Sequence, residues 1–252
     1  MTLKLLSDIA LAETTEDVWE KVVHALAPLG FSRLSYGLTR FRFENSIGNP
    51  DDALYLSTTN DADMNAYFKD GHFARTPVFR WIMTNTGACT WRWVDEDRAA
   101  GRLSPSEIAA LAVNERMGVK AGIAISFPET CHRIKGAFGL IADLGMSHDD
   151  VDAIWAKRAD EITAIAHMMH LKIASLPLRS AKRSLTQRQR EALEWVADGK
   201  TTQDIAILMG VSAAMIEKHL RLARDALDVE TTAQAVAKAT LLNVIFTRTR
   251  WP

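Results

Sequence analysis

From Ser184 to Phe246, apolar side chains return at helical spacing in four short runs, three of them with a capped start. The most regular run is Ile216, Leu220, Ala223 and Leu227, at i, i+4, i+7 and i+11. That spacing draws one apolar stripe and leaves Ala213, Glu217, Lys218, Arg221 and Arg224 elsewhere on the surface. Two runs precede it. Thr186 with Gln189 three residues on has the chemistry of a capping box and opens a helix carrying Leu193, Val196 and Ala197, which Gly199 ends. Thr201 with Asp204 opens a second, with Ile205, Ala206, Leu208 and Met209, closed by Gly210. Ser212 is then a natural N-cap for the third. Two helices joined by a Gly-containing turn make a helix-turn-helix, so residues 185–252 are predicted to be an all-α four-helix domain.

The pattern before Leu176 is mixed. Leu5, Ile9, Val18, Val22, Val23, Leu26 and Leu29 keep a helical period over two segments, with Thr14 or Thr15 able to cap the second. Residues 31–41 alternate as a strand does, and Ala53 to Ser57 offers another. From Asp61 to Trp93 the period reads as helical. Ser106 can cap a helix containing Ile108, Leu111 and Val113. Ala121 to Phe127 and Gly136 to Ala142 form a hairpin signal. Ser147 to Asp150 leads into a long helix through Val151, Ile154, Ile162, Ile165, Ala166, Met169 and Leu171, with more apolar positions near its end than one small core face needs; the excess fits a dimer contact. This order predicts an α+β fold, an α/β/α sandwich around an antiparallel sheet, over residues 1–175, with 176–184 as linker.

Charge sharpens the division. The whole chain of 252 residues carries a net charge of −1, but residues 180–252 hold 11 basic and 8 acidic side chains, +3, against 19 and 23, −4, for residues 1–179. The positive part is the helix-turn-helix part, as a nucleic-acid module requires. Apolar runs are too short to span a membrane and the N-terminus is not arranged as a signal peptide, so the expected compartment is the cytoplasm, with no membrane partner. Cys89 and Cys131 have no metal-ligand spacing and read as reduced structural thiols. His72, His132, His148, His167 and His170 lack carboxylates at a ligand or acid/base spacing, although His167 and His170 share a helix face. No metal site, no cofactor and no catalytic residue is therefore expected, and the chain does not read as an enzyme. A phospho-receiver domain would need an acidic pair near the N-terminus, which is missing.

Tyr67, Phe68, Phe73, Phe79, Trp81, Trp91 and Trp93 fall within 27 residues. Such a cluster builds either an ordinary core or the wall of a pocket for an amphipathic small molecule. The C-terminal residues Leu185-Thr186, Arg188, Glu191, Leu193, Gly199-Lys200, Ile205-Ala206, Gly210-Val211-Ser212, His219-Leu220, Leu227 and Gln234-Ala235-Val236 resemble the LuxR family of transcription regulators. Gln189 stands where that family usually has Glu, and Ala226 where it has Lys. In the N-terminal part Tyr67, Thr76-Pro77, Trp91, Gly118 and Gly122 fit the family's pattern more loosely. The resemblance implies an N-terminal domain that binds an autoinducer, the candidate contacts being Tyr55, Asp63, Tyr67, Thr76, Phe79, Trp81, Trp91, Phe127 and Ala142.

Two of those positions depart from the family. Asp63 replaces the tryptophan that donates to the lactone carbonyl, and Thr76 replaces the aspartate that accepts from the amide N–H. An ionised carboxylate has no hydrogen to give. A buried carbonyl left without its donor costs about 1–3 kcal/mol. The expectation is a small ligand other than an ordinary acyl-homoserine lactone held by the usual contacts, or that class in a shifted pose. The competing reading is a domain that needs no ligand and only dimerises.

For the C-terminal domain the resemblance implies double-stranded DNA as partner, a palindromic promoter site read by a homodimer, and RNA polymerase as a further candidate partner. The first turns of the Ser212–Leu227 helix, with Ser212, Ala213, Ala214 and Glu217, would meet base edges in the major groove. Arg221 is the candidate for a bidentate guanine contact, and Glu217 either accepts from cytosine or faces solvent. Lys200, Thr201, Lys218 and Arg224 are candidate phosphate contacts.

Overall fold

The computed structural model describes residues 2–43, 46–59, 71–128, 131–178 and 184–246. The chain divides into two compact units, one of Met1–Gly48 with Tyr55–Ile173 and one of Asn49–Leu54 with Ala174–Pro252. No helix among the described residues is long and apolar enough to cross a membrane.

The first unit begins with α1 (Thr2–Leu11) and α2 (Thr15–Leu26), which bury Ile9, Val18, Val22 and Leu26. Thr14 is the cap, its hydroxyl accepting from the Asp17 N–H at 3.1 Å. Then come β1 (Arg33–Thr39) and β2 (Leu54–Ser57), α3 (Pro77–Thr84), β3 (Gly87–Thr90), α4 (Arg92–Ala99), α5 (Pro105–Arg116), β4 (Gly122–Ser126), β5 (Lys135–Ile141) and α6 (His148–Ser175). The strands form one five-stranded sheet in the order β2-β1-β5-β4-β3. The pairs β1–β5, β5–β4 and β4–β3 are antiparallel, so the hairpin read between residues 121 and 142 is present.

Two local expectations change. The Asp61–Trp93 stretch is not helical throughout: Asn85 ends α3 in an extended conformation, and Gly87–Thr90 adds β3 to the edge of β4. Four residues are too few for a period to declare itself, and the ladder with β4 decides their state. The cap of α5 is Ser104 rather than Ser106. Pro105 fits the first helical position because its fixed φ suits a helix and its missing N–H is not needed there, and Glu107 completes a capping box with Ser104.

The second unit holds α7 (Gln187–Ala197), α8 (Thr202–Met209), α9 (Ala213–Leu227) and α10 (Thr232–Leu241). Capping boxes close at Thr186/Gln189, Thr201/Asp204 and Thr231/Gln234, and Ser212 caps α9. Gly210 terminates α8 at φ +67°, a left-handed position glycine takes without Cβ strain, and the chain turns there into α9. Leu193, Ile205, Ile216, Leu220, Leu227 and Ala235 bury the apolar stripes of all four helices in one core.

Candidate ligand and DNA-binding sites

Side chains alternate across the sheet, and the register separates its two faces. Leu34, Tyr36 and Leu38 lie beside Phe138 and Leu140, which lie beside Ile125 and Ile123. All seven are at most 1 % exposed. Trp19 of α2 meets Phe138 edge-on at 6.3 Å, and His170 of α6 receives Tyr36, so this face is the core under the helices. The opposite face carries Ser35 and Gly37, Ala137 and Gly139, Ala124 and Ser126. Ser35, Gly37, Ala137 and Gly139 are only half-buried, and among the described residues a Cβ placed on Gly37 would meet no atom within 4 Å. Small side chains on this face leave space above Gly37, while over β4 the face is covered, Ala124 and Ser126 being fully buried.

Two structures flank that space. At one end the Ser126 hydroxyl lies 2.6 Å from the Asn85 carbonyl and 3.1 Å from that of Ile82, fixing α3 over this face. At the other, the Trp91 ring lies on Gly122. A Cβ at residue 122 would stand 2.9 Å from two carbons of that ring and closer still to the Leu140 carbonyl oxygen. Trp91 also donates its backbone N–H to Gly122 at 2.9 Å and packs with Val78 and Trp93 against Val94, Leu103 and Leu111. Beside it Arg92 reaches Asp152 and Asp149 at the start of α6, both at 2.5 Å. Gly122→Ala is therefore expected to move the indole, because the Leu140 carbonyl belongs to a sheet strand and cannot yield. The check is thermal unfolding with tryptophan fluorescence: a midpoint several degrees lower, the size of a ~1–3 kcal/mol overpacking cost, and a shifted emission maximum.

The candidate ligand residues are distributed unevenly over these features. Thr76 is buried and serves as the N-cap of α3: its hydroxyl donates to the Phe73 carbonyl at 2.8 Å and accepts from the Phe79 N–H at 3.1 Å. Its hydrogen is thereby committed, and one lone pair remains to accept. Phe79 packs edge-on against Phe73 at 5.3 Å, and Trp81 lies half-buried in the same helix. Phe127 belongs to the other face, fully buried and stacked at 4.0 Å on His170, so it builds core rather than the Trp91 side. Strand alternation places it there, since it continues Ile123 and Ile125. Tyr55 is 40 % exposed on β2. Ala142 follows β5 at the Trp91 end, in a cleft of about 640 Å³ with Arg33, Gly118 and Leu144. Asp63 and Tyr67 lie outside the described residues. Ser35, Gly37, Ala137 and Gly139 escaped the sequence reading; their signal was a small residue at every second position in two strands.

Among the described residues no group of three or more His, Cys, Asp or Glu side chains could hold a metal ion. His148 pairs with Asp95 at 3.1 Å, His167 with the Thr163 carbonyl at 2.9 Å, and His170 with the Tyr36 hydroxyl at 2.9 Å.

In the second unit, Ile216, Leu220, Ala223 and Leu227 are the buried side of α9, as its period requires. Ala213, Ala214, Glu217, Lys218 and Arg221 are exposed on the other side. Arg221 meets Asp225 one turn on at 3.1 Å, an exposed pair of little worth in water that a guanine can replace. Glu217 accepts from the Thr202 hydroxyl at 2.9 Å and so ties α9 to α8. Ser212 accepts from the Met215 N–H at 3.3 Å, leaving its own hydrogen for an outside acceptor. Lys200 is exposed where α8 begins. Thr201 and Arg224 are differently employed. The Thr201 hydroxyl gives its hydrogen to the Asp204 carboxylate at 2.7 Å, so a phosphate would have to break the cap to receive it. Arg224 is half-buried and donates to Thr232 at 3.0 Å, which joins α9 to α10.

The two units match known proteins separately and together. A family model described as Autoinducer binding domain matches residues 14–173, and one described as Sigma-70, region 4 matches residues 175–227. The transcriptional activator protein LuxR of Aliivibrio fischeri is 22% identical over 183 residues, 71% of this chain and 70% of that protein. The crystal structure of Escherichia coli SdiA superposes with a TM-score of 0.55 at 14% identity, covering 98% of each chain. A structure of SdiA in complex with octanoyl-rac-glycerol gives a TM-score of 0.50 at 16% identity, covering 98% of this chain and 96% of that one. With an autoinducer-binding domain matched over most of its length and a capped helix-turn-helix behind it, this chain belongs to the LuxR-type family of quorum-sensing regulators.

Proposed function

We propose that this protein is a ligand-responsive transcription regulator of the cytoplasm that binds a palindromic promoter site as a homodimer and answers a small amphipathic signal. The observation that carries the DNA half is the exposed row Ala213, Ala214, Glu217, Lys218 and Arg221 on a helix whose opposite side is the domain's own core. Such a helix can enter a major groove without unfolding anything. The small-residue face of the sheet, open above Gly37 and flanked by α3 and Trp91, supports the ligand half. A ligand held there would stabilise the folded domain by RT ln(1 + [L]/Kd), which links signal concentration to the amount of active regulator.

The two halves of a palindrome would lie about one DNA turn apart, matching a two-fold protein. Within each half-site, Arg221 specifies and Lys200 and Lys218 position. Arg221→Ala is expected to lower affinity for the cognate site about 5- to 150-fold, the loss of ~1–3 kcal/mol, with little effect on scrambled DNA. Lys200→Ala is expected to weaken both alike and to reduce the slope of log affinity against log salt by about one. Fluorescence anisotropy against both duplexes, with and without N-octanoyl-homoserine lactone, measures this. Equal losses on both duplexes from Arg221→Ala would remove it from base reading.

A further inference from the structure

The loop before β4, residues 117–120, and the loop after β5, residues 142–146, line one cleft of about 640 Å³. That volume lies within the roughly 300–1,000 Å³ of small-molecule sites. Its walls are set by bonds inside the protein. Arg33 donates to the Met117 and Gly118 carbonyls at 3.3 and 2.9 Å in the first loop and to the Ala142 carbonyl at 2.5 Å in the second, so one guanidinium fixes both. The Val119 N–H is held by the Asn114 carbonyl at 2.8 Å and the Asp143 N–H by that of Gly30 at 2.9 Å. Leu144 leans on Gly118, where a Cβ would stand 2.7 Å from one of its methyl carbons. The cleft therefore stands ready without a ligand to order it.

Charge in the cleft is unevenly spent. Both carboxylates that line it are engaged: Glu115 accepts from Arg98 at 2.5 Å, and Asp143 accepts from the Ser32 N–H and hydroxyl at 2.9 and 2.5 Å. Arg116 and Lys120 also line it, both exposed, and neither has a hydrogen-bond or ion-pair partner among the described residues. The C-terminus of α5 does not call for Arg116, because Arg33 already serves the carbonyls of Met117 and Gly118 that follow it. Two unpaired cations thus share a cleft in a part of the chain whose net charge is −4 over residues 1–179. Beside them Val119 and Met146 are half-buried and Leu144 is 77 % exposed. Water solvates the cations but not the leucine, and a molecule with an anionic group on an apolar body suits both.

We propose that this cleft is a second small-molecule site, one for an organic anion, with a carboxylate or phosphate held by Arg116 and Lys120 and an apolar body against Val119, Leu144 and Met146. It is independent of the ligand site over Gly37. Arg33 is a positioning residue there: its hydrogens go to carbonyls of the two loops, which keeps the cations and the apolar wall at a fixed spacing.

Isothermal titration of the full-length protein with 4-phenylbutyrate, 3-phenylpropyl phosphate and the neutral 4-phenylbutanol tests this. Wild type is expected to bind at least one of the anions at millimolar concentration or below and the alcohol far more weakly, with anion affinity falling as salt rises. The tighter anion identifies the head group as carboxylate or phosphate. Arg116→Gln and Lys120→Gln change exposed side chains and should each lower anion affinity about fivefold, the upper worth of an exposed ion pair, while Lys120→Arg should keep it. In ¹⁵N spectra the backbone amides of Gly118, Val119 and Gly145 should move during the anion titration and stay still in the double glutamine variant. Equal binding of anion and alcohol, unchanged anion affinity in the double variant, or shifts confined to residues outside the two loops would each overturn the proposal. So would failure of wild type to bind either anion at millimolar concentration.

Discussion

Ile216→Ala is expected to destabilise the DNA-binding unit by about 2–5 kcal/mol, the cost of a buried aliphatic truncation that the surroundings cannot refill. Ile216 is fully buried, one turn into α9 and directly behind the exposed row that would meet bases. Its neighbours on the stripe, Leu220 and Leu227, are at most 4 % exposed, so the cavity would be lined on both sides by ordered side chains. A small domain holds only about 5 kcal/mol in reserve. The loss therefore reaches DNA binding without touching a contact to DNA. Differential scanning calorimetry of the whole protein should show the transition of this unit falling by ten degrees or more while the other transition stays in place. Anisotropy should show binding to cognate and scrambled duplex lost together, unlike Arg221→Ala. Retention of both the transition and the affinity would mean that α9 does not depend on this stripe.

The second large effect is acid sensitivity of the first unit, centred on His170. Burial, with help from the charges of His167 and Arg40, pushes the His170 imidazole down to about 4. It is stacked on Phe127 and hydrogen-bonded to the Tyr36 hydroxyl, and the charges that act on it are those of His167 and Arg40, neither of which favours a second proton. In the unfolded chain the same imidazole titrates at about 6.5. Between those values the unfolded state binds the extra proton and the folded state does not, so stability falls as pH falls. The penalty is absent above pH ~6.5, grows on descent to pH ~4, and approaches about 3 kcal/mol of lost stability at and below the bottom of that range. His170→Gln keeps a polar partner for Tyr36 and removes the titration. Urea unfolding of both proteins at pH 7.5, 6, 5 and 4 should show a difference that closes as the pH drops. A constant difference would show that His170 is charged in the folded protein or exposed to water.

Much of this was legible because the signals are local. The caps at Thr14, Thr186, Thr201 and Ser212 form their bonds within three or four residues, and the α9 stripe is written in four positions of one helix. Where partners compete for the same role, the sequence was ambiguous: Ser104 and Ser106 both precede the α5 stripe, and Pro105 with Glu107 decides between them. The strand Gly87–Thr90 was unreadable for a different reason, since its state comes from β4, 33 or more residues away. Candidate ligand residues fared by the same rule. Aromatic density marked Trp91 and Phe79 but could not tell which side of the sheet Phe127 faces.

The amino-acid sequence by itself determined the two-part organisation, the helix-turn-helix with its exposed row opposite the apolar stripe, and the departures at Asp63 and Thr76, because each rests on residue identity and short spacing. Only the tertiary structure decided that one sheet face is filled by Leu34, Tyr36, Phe138 and their neighbours while the other is left open by Gly37 and Ala137. It alone spent the Thr201 hydroxyl and the Arg224 guanidinium inside the domain, and it alone buried the Trp91 N–H without a partner among the described residues. The physical reason is common to all of these: whether a polar group is free or satisfied, and whether a surface is core or cavity, depends on atoms brought together across the fold, and no window along the chain contains them.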